Sequence, residues 1–243
     1  MKLAALSQPG IPMQSDQPIL LATGVTKTYR SAAADVHALR GVDLSVRQGE
    51  MLTVMGPSGH GKTTLLNCLS GLDSIDAGSV EVAGATIHEM SDKARTVHRA
   101  ENMGFIFQSF NLIPVLSAAE NVELPLLAAG MRPSRARERA TAMLARVELA
   151  DRVDHRPNEL SGGEQQRVAI ARALVTDPAV VWADEPTGNL DSATAAVILD
   201  LLLEVNAAGQ TLIVVTHDED IGRSGHRLVR LVDGCIADQE ITR

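Results

Sequence analysis

Gly56-Pro57-Ser58-Gly59-His60-Gly61-Lys62-Thr63 matches the pattern G-x-x-x-x-G-K-[ST] in full. An apolar run, Glu50 to Met55, leads into it, and a helical pattern from Thr63 to Leu72 leads out. In such a loop the backbone N–H groups cradle phosphates, Lys62 neutralises the β and γ oxygens, and Thr63 ligates Mg2+. Thr64 follows in the first helical turn, within reach of the same phosphates. His60 stands at a free position of the pattern, where its backbone rather than its ring is expected to face phosphate. A second glycine run, Leu160-Ser161-Gly162-Gly163-Glu164-Gln165-Gln166-Arg167, opens a helical pattern that reaches about Leu174. Ser161 can cap that helix, and the free N–H groups there can hold an anion. Its two glycines let a phosphate approach the backbone. One complete phosphate loop already serves one nucleotide, so a second phosphate-facing site implies a nucleotide shared between two chains.

Other residues fit the same chemistry. Ala179 to Trp182 is an apolar strand pattern, and Asp184 and Glu185 follow it. Asp184 can hold Mg2+ through water, and Glu185 can polarise a water that attacks the γ-phosphate. Adjacent acids also suit a polar strand end, and the phosphate loop is what favours the catalytic reading. Gln108 ends the run Met103 to Phe107, where the character of the chain turns helical. Its amide can contact Mg2+ or the attacking water and move with the segment that follows. His217 follows the strand pattern Thr211 to Thr216, and Asn189-Leu190-Asp191 lies just beyond the paired acids. Tyr29, the sole tyrosine, ends the first strand pattern, where an aromatic ring can stack on adenine or pack as a half-buried strand residue.

The elements that must place these residues alternate between strand and helix. Strand patterns cover Ile19 to Tyr29, His37 to Val46, Glu50 to Met55, Ser79 to Val82, Thr86 to Ile87, Ala179 to Trp182 and Thr211 to Thr216. A helix is expected over Ser192 to Ala207, and a terminal hairpin turns at Asp233-Gly234. From about Leu112 to Leu160, Ala, Leu, Arg and Glu recur at helical spacing without a strong strand. The fold class is α/β with a helical insertion, and its ligand belongs at the carboxyl ends of the parallel strands. Residues 1–17, rich in Pro, Gln and Ser, read as a loose tail, and 18–243 as one domain with the insertion at about 109–163.

Composition narrows the partners. Acids outnumber Lys and Arg by 30 to 22, a net charge of −8, which argues against nucleic acid. The one basic stretch, Arg132 to Arg139, reads as a solvated helix face. Cys68 and Cys235 have no metal-ligand spacing and read as free thiols. No apolar run approaches the roughly 18 residues of a membrane span, and the apolar start breaks at Gln8-Pro9-Gly10. The expectation is a cytoplasmic protein that reaches a membrane only through a partner. Phe110, Leu112, Ile113 and Leu116 gather apolar groups around Pro114. They either pack the helical segment or receive a short helix of such a partner, with Glu120 and Glu123 available to its basic residues.

In this order the motifs resemble those of the ATP-binding-cassette (ABC) ATPases, over about residues 19 to 240. The resemblance identifies Gly56 to Thr63 as the Walker A loop and Asp184 as the Walker B acid. Gln108 becomes the Q-loop glutamine, Ser161 to Gln165 the signature, Asn189 to Asp191 the D-loop at a dimer interface, and His217 the switch histidine at the γ-phosphate. It implies a P-loop NTPase core of RecA type, an N-terminal antiparallel β subdomain and an inserted α-helical subdomain. The implied enzyme is an ATP hydrolase that uses Mg2+ and works as a head-to-tail dimer. Its other partner would be an integral-membrane permease at the cytoplasmic face of the cell membrane. Phe105 to Pro114, Glu120-Asn121-Val122 and Pro186 to Asp191 are similar to the subgroup of macrolide exporters, lipoprotein-releasing transporters and FtsE-like division ATPases. Amino-acid importers share much of this text, so export, regulation of cell-wall enzymes and import stay open. Soluble relatives that act on DNA or ribosomes usually carry two cassettes, a coiled-coil insertion or a zinc module, none of which is seen here.

Overall fold

The computed structural model describes residues 17–30 and 34–243. The tail expected over 1–17 lies outside the described residues except for Gln17. Two sheets organise the rest. The first is antiparallel and has the order β2-β1-β4-β5: β1 is Leu20–Tyr29, β2 Val36–Val46, β4 Ala77–Val82 and β5 Ala85–Thr86. In the second sheet, β3 (Met51–Met55), β6 (Met103–Phe107), β7 (Val180–Asp184), β8 (Thr211–Val215) and β9 (Arg227–Val232) run parallel. β10 (Cys235–Ile241) closes one edge antiparallel to β9. The order is β10-β9-β3-β8-β7-β6.

The central strands are mostly apolar because both faces of their sheet are covered. Alternate residues serve two separate cores. Leu52, Val180, Trp182, Ile213 and Val215 join the core shared with the antiparallel sheet and helix α1 (Lys62–Leu69). Met51, Val181, Ala183, Leu212 and Val214 join the other, with α5 (Gly162–Leu174) and α6 (Ser192–Ala207). That second core continues without a break into α3 (Ala118–Ala128) and α4 (Pro133–Arg146), the helices between β6 and α5.

Most strand patterns in the sequence become strands within a residue or two. Thr86-Ile87 is the exception, because Ile87 begins a 3-10 turn over Ile87–Glu89. The helix expected to Leu72 ends at Leu69, since the Leu72 N–H bonds back to the Asn67 carbonyl. Two helices are new: α2 (Asp92–Asn102), which has no buried residue, and the short α7 (Glu219–Ser224). Trp182, the only tryptophan, is fully buried, and its Nε1–H has no hydrogen-bond partner among the described residues.

Trp182 therefore tests the packing between the sheets. Trp182→Ala should cost about 3–5 kcal/mol in urea denaturation. Trp182→Phe keeps a ring and removes the unpartnered N–H, so it should cost clearly less. Equal losses would mean that ring packing is not what this position contributes.

Candidate functional site

Four neighbouring parallel strands deliver the chemical residues to one edge of the sheet. In sheet order β3, β8, β7, β6, their carboxyl ends carry the Gly56–Thr63 loop, His217, Asp184-Glu185 and Gln108. Parallel pairing fixes these ends side by side: Asp184 lies opposite Val215 on one flank and Phe107 on the other.

The loop leads into α1. Gly61 is its N-cap residue at φ 95°, with no side-chain cap and no acid in the first turn. The first N–H groups of α1 therefore have no side-chain acceptor and favour an anion. A Cβ on Gly61 would clash with the Ala38 carbonyl, so β2 presses the loop into its course. Lys62 is 9% exposed, and its Nζ donates to the Gly56 carbonyl at 2.8 Å and the Pro57 carbonyl at 3.1 Å. Among the described residues Lys62 forms no ion pair, so its charge is available to phosphate. Ser58 and Thr63 are exposed and Thr64 is half-buried.

Thr63 Oγ1 donates to Asp184 Oδ1 at 3.3 Å. Two hard oxygen donors this close suit Mg2+, with phosphate and water completing the shell. Burial, and then the neighbouring Glu185 charge, raise the Asp184 pKa above the usual carboxylate value, against the Thr63 hydrogen bond and the Lys62 charge. Such a carboxyl ionises more readily when a cation arrives. Glu185 adopts a left-handed conformation (φ 47°), and its N–H donates to the Val215 carbonyl at 2.8 Å. The turn places Glu185 Oε1 2.9 Å from His217 Nδ1, while the His217 N–H donates to Oε2 at 3.3 Å. A carboxylate and an imidazole in contact, with the ring largely exposed, can together orient and deprotonate a water.

Gln108 meets Asn189 directly. Its Nε2 donates to Asn189 Oδ1 at 3.4 Å, and Asn189 Nδ2 donates to the Gln108 carbonyl at 3.0 Å. Leu190 lies against Gly162, and Asp191 caps α6 by accepting from the Ala193 and Thr194 N–H groups. Ser161 and Glu164 cap α5: Ser161 Oγ accepts from the Glu164 N–H at 3.3 Å, and Glu164 Oε2 accepts from the Ser161 N–H at 2.8 Å. A Cβ on Gly163 would come within 2.5 Å of Thr194 Cγ2, so α5 and α6 need glycine there. Gln165 Nε2 donates to the Leu160 carbonyl at 3.1 Å. No hydrogen bond among the described residues joins Ser161 to Gln165 with the Gly56–Thr63 loop, so this chain holds its two phosphate-facing groups separately.

Tyr29 ends β1 with 42% of its surface exposed, opposite Val36 on β2, which is 57% exposed. Val36 carries no sequence signal, and only the strand register brings it to the ring. The His60 ring turns away from the loop toward the β9–β10 turn, where His60 Nδ1 accepts from the Asp233 N–H at 3.0 Å. Another group missed in the sequence is Arg172, near the end of α5. It donates to the Phe110 carbonyl at 2.8 Å and the Asn111 carbonyl at 2.5 Å, just after Gln108. The acids expected to meet a partner helix are engaged internally. Glu120 caps α3 with Ser117, while Glu123 is buried and paired with Arg137. Leu112 packs on the second core. Of the two acids proposed for the surface between Gln108 and Glu123, Glu123 is thus not free, while Glu120 forms no ion pair among the described residues and keeps its charge.

Residues 39–188 match the family described as ABC transporter. The chain is 46% identical over 219 residues to the macrolide export ATP-binding/permease protein MacB of Burkholderia pseudomallei, covering 90% of this chain and 34% of that protein. It thus spans about a third of the macrolide-export relatives it matches. It is 44% identical to the lipoprotein-releasing system ATP-binding protein LolD of Alcanivorax borkumensis, over 92% of this chain and 99% of that one. Among solved structures it resembles the ATP-binding cassette MJ0796, known from Methanocaldococcus jannaschii, at 43% identity and a TM-score of 0.85. The match covers 92% of this chain and 99% of MJ0796, which has been solved as a dimer in a post-hydrolysis state with ADP and Pi. Site, fold and likeness lead to one conclusion: the chain belongs to the ABC transporter family and is one of its ATP-hydrolysing cassettes.

Proposed function

We propose that two copies of this chain close head to tail around two ATP molecules and drive a separate membrane permease of the export or mechanotransmission kind. The observation that carries the reading is the Glu185–His217 contact at 2.9 Å beside the Thr63–Asp184 contact at 3.3 Å, above an uncapped helix N-terminus. Lys62 and the N–H groups of Gly56 to Thr64 hold the phosphates. Thr63, Asp184 and Gln108 hold Mg2+, which supplies neutralisation of phosphate charge when bound. Glu185 accepts a hydrogen bond from the attacking water, and His217 steadies that carboxylate and contacts the γ-phosphate. Tyr29 stacks on the adenine. Ser161, Gly162, Gly163 and Gln165 of one copy complete the site of the other, with Asn189, Leu190 and Asp191 at the join. ATP then acts as glue between copies, and its hydrolysis releases them. The work available is the difference in affinity of the closed dimer for ATP and ADP.

A groove of about 360 Å3 between α2, β6 and α5 supports permease docking. Phe105, Phe107, Ala100, Pro125 and Arg172 line it, as does Asn111, three residues past Gln108. A short permease helix seated there would feel movement of the Gln108 segment. No helix among the described residues is long and apolar enough to cross a membrane. Attachment to the cytoplasmic face through the permease is consistent with that, as is the likeness to a lipoprotein-releasing ATP-binding protein.

Three outcomes test this reading. Glu185→Gln should lower hydrolysis by about 10²–10⁴-fold while an ATP-bound dimer accumulates in size-exclusion chromatography. Hydrolysis at the wild-type rate would remove Glu185 from the mechanism. Lys62→Ala and Gly163→Asp should each be inactive alone. Mixed, they form dimers with one doubly defective site and one intact site, so partial activity should return, and none would argue against shared sites. Asp184→Asn should abolish Mg2+-dependent ATP binding yet melt above wild type without nucleotide at pH 7. The sign follows from the raised pKa: a proton on Asp184 favours the folded state, and that contribution is lost as pH rises through the folded-state value. The gap in melting temperature should therefore narrow as the pH is lowered, and a gap independent of pH would assign it to another cause.

A further inference from the structure

Lys27 and Tyr29 stand two residues apart on β1 and point to the same side of the strand. Both reach one carboxylate in the segment after α1. The Tyr29 hydroxyl donates to Asp73 Oδ2 at 2.8 Å. Lys27 Nζ donates to Asp73 Oδ1 at 2.8 Å and to the Ser74 carbonyl at 2.8 Å. Lys27 is only 7% exposed, and its ammonium lies over the Tyr29 ring, 5.1 Å from the centroid. Although burial alone would raise it, the Lys27 and Tyr29 hydrogen bonds hold the Asp73 carboxyl below its ordinary range.

A half-buried ion pair is a costly way to attach a strand, because the Lys27 ammonium gives up most of its water while the Asp73 side chain stays 31% exposed. The attachment is also already made, since the Thr28 N–H donates to Asp76 Oδ2 at 2.7 Å and the Asp76 N–H to the Thr26 carbonyl at 2.9 Å. What Asp73 and Lys27 add is control of a ring. The hydroxyl is pinned at its far end, the ammonium covers one face, and 42% of the residue stays exposed.

We propose that Asp73 and Lys27 are positioning residues for the nucleobase, holding the Tyr29 ring so that its uncovered face is ready to stack. This deepens the proposed function and rests on the reading of Tyr29 as the adenine platform. A ring held before binding loses no rotamer freedom on binding. The ammonium draws π density toward the covered face, so the other face repels an electron-rich purine less. Asp73 follows the helix that begins at the phosphate loop, so the clamp also sets the spacing between base and phosphate positions.

Calorimetric titration of the full chain with Mg-ATP and with magnesium tripolyphosphate, which has no base, tests the proposal. Tyr29→Phe keeps the ring and loses the hydroxyl. Asp73→Ala would strand the Lys27 charge, so Lys27→Met/Asp73→Ala is used in its place. Each should weaken ATP binding about tenfold. The triple variant should be no weaker than either, because both changes release the same ring. Tripolyphosphate affinity should not move in Lys27→Met/Asp73→Ala, which a general disturbance of the loop would not allow, whereas Tyr29→Phe also removes the hydroxyl's hydrogen bond with Thr64 and is read on ATP alone. Unchanged ATP affinity in Lys27→Met/Asp73→Ala, while Tyr29→Ala binds ATP weakly, would overturn the proposal alone. Unchanged ATP affinity in Tyr29→Ala would overturn the platform reading beneath it, and equal losses for tripolyphosphate would make the cluster a structural staple.

Discussion

A helix that begins without a cap is the constraint on which the site depends. α1 starts at Gly61 with no side-chain acceptor and no acid in its first turn, beside a Lys62 ammonium bonded only to carbonyls of its own loop. Three other helix starts are satisfied from within: Ser161 and Glu164 cap α5, Ser117 and Glu120 cap α3, and Asp191 caps α6, while α4 lacks a side-chain cap but begins at Pro133, which has no N–H to satisfy. Positive potential is thus concentrated where β3 ends, and an anion is the natural complement. Asp184 ends β7 and Glu185 follows it, two strands away in the sheet, and Thr63 spans the gap to Asp184.

The same sheet explains why the acids can be held in place. Its inner strands bury both faces and bring two cores under one edge. Backbone at the ends of such strands has little freedom, so Glu185 can be kept at a positive φ while its carboxylate meets His217. The conformational cost of that residue is offset by packing beneath it.

Movement has a defined path in this arrangement. Gln108 is tied to Asn189 on one side, and the two residues after Ser109 are gripped by Arg172 from α5. The N-terminus of α5 carries Ser161 and Gly163. One helix therefore joins the segment beside the proposed nucleotide site to the residues proposed to meet a second copy. α3 and α4 pack on the same core, so a shift of Gln108 has rigid bodies to act on.

The sequence by itself determined the chemistry and its order. Gly56 to Thr63, Ser161 to Gly163 and Asp184-Glu185 are legible because each is local: a turn, a cap or a strand end is specified by neighbouring residues. The buried strands were legible for a similar reason, since apolar runs bounded by turn residues need no distant partner to be recognised. α2 was not, because its sequence is mostly charged or polar and it buries no residue, so no strong apolar stripe marks it as a helix of the core. Glu123 was misread as a surface charge because helical spacing does not say which face α4 covers, and Arg137 comes from that covering helix. Tertiary structure alone decided the pairings across long separations: Tyr29 with Asp73, His60 with Asp233, Arg172 with Phe110 and Asn111, and Thr63 with Asp184. The physical reason is one of range. Propensity and capping act within a few residues, whereas a hydrogen bond between side chains 44 or 121 positions apart exists only once sheet order and register have brought them together.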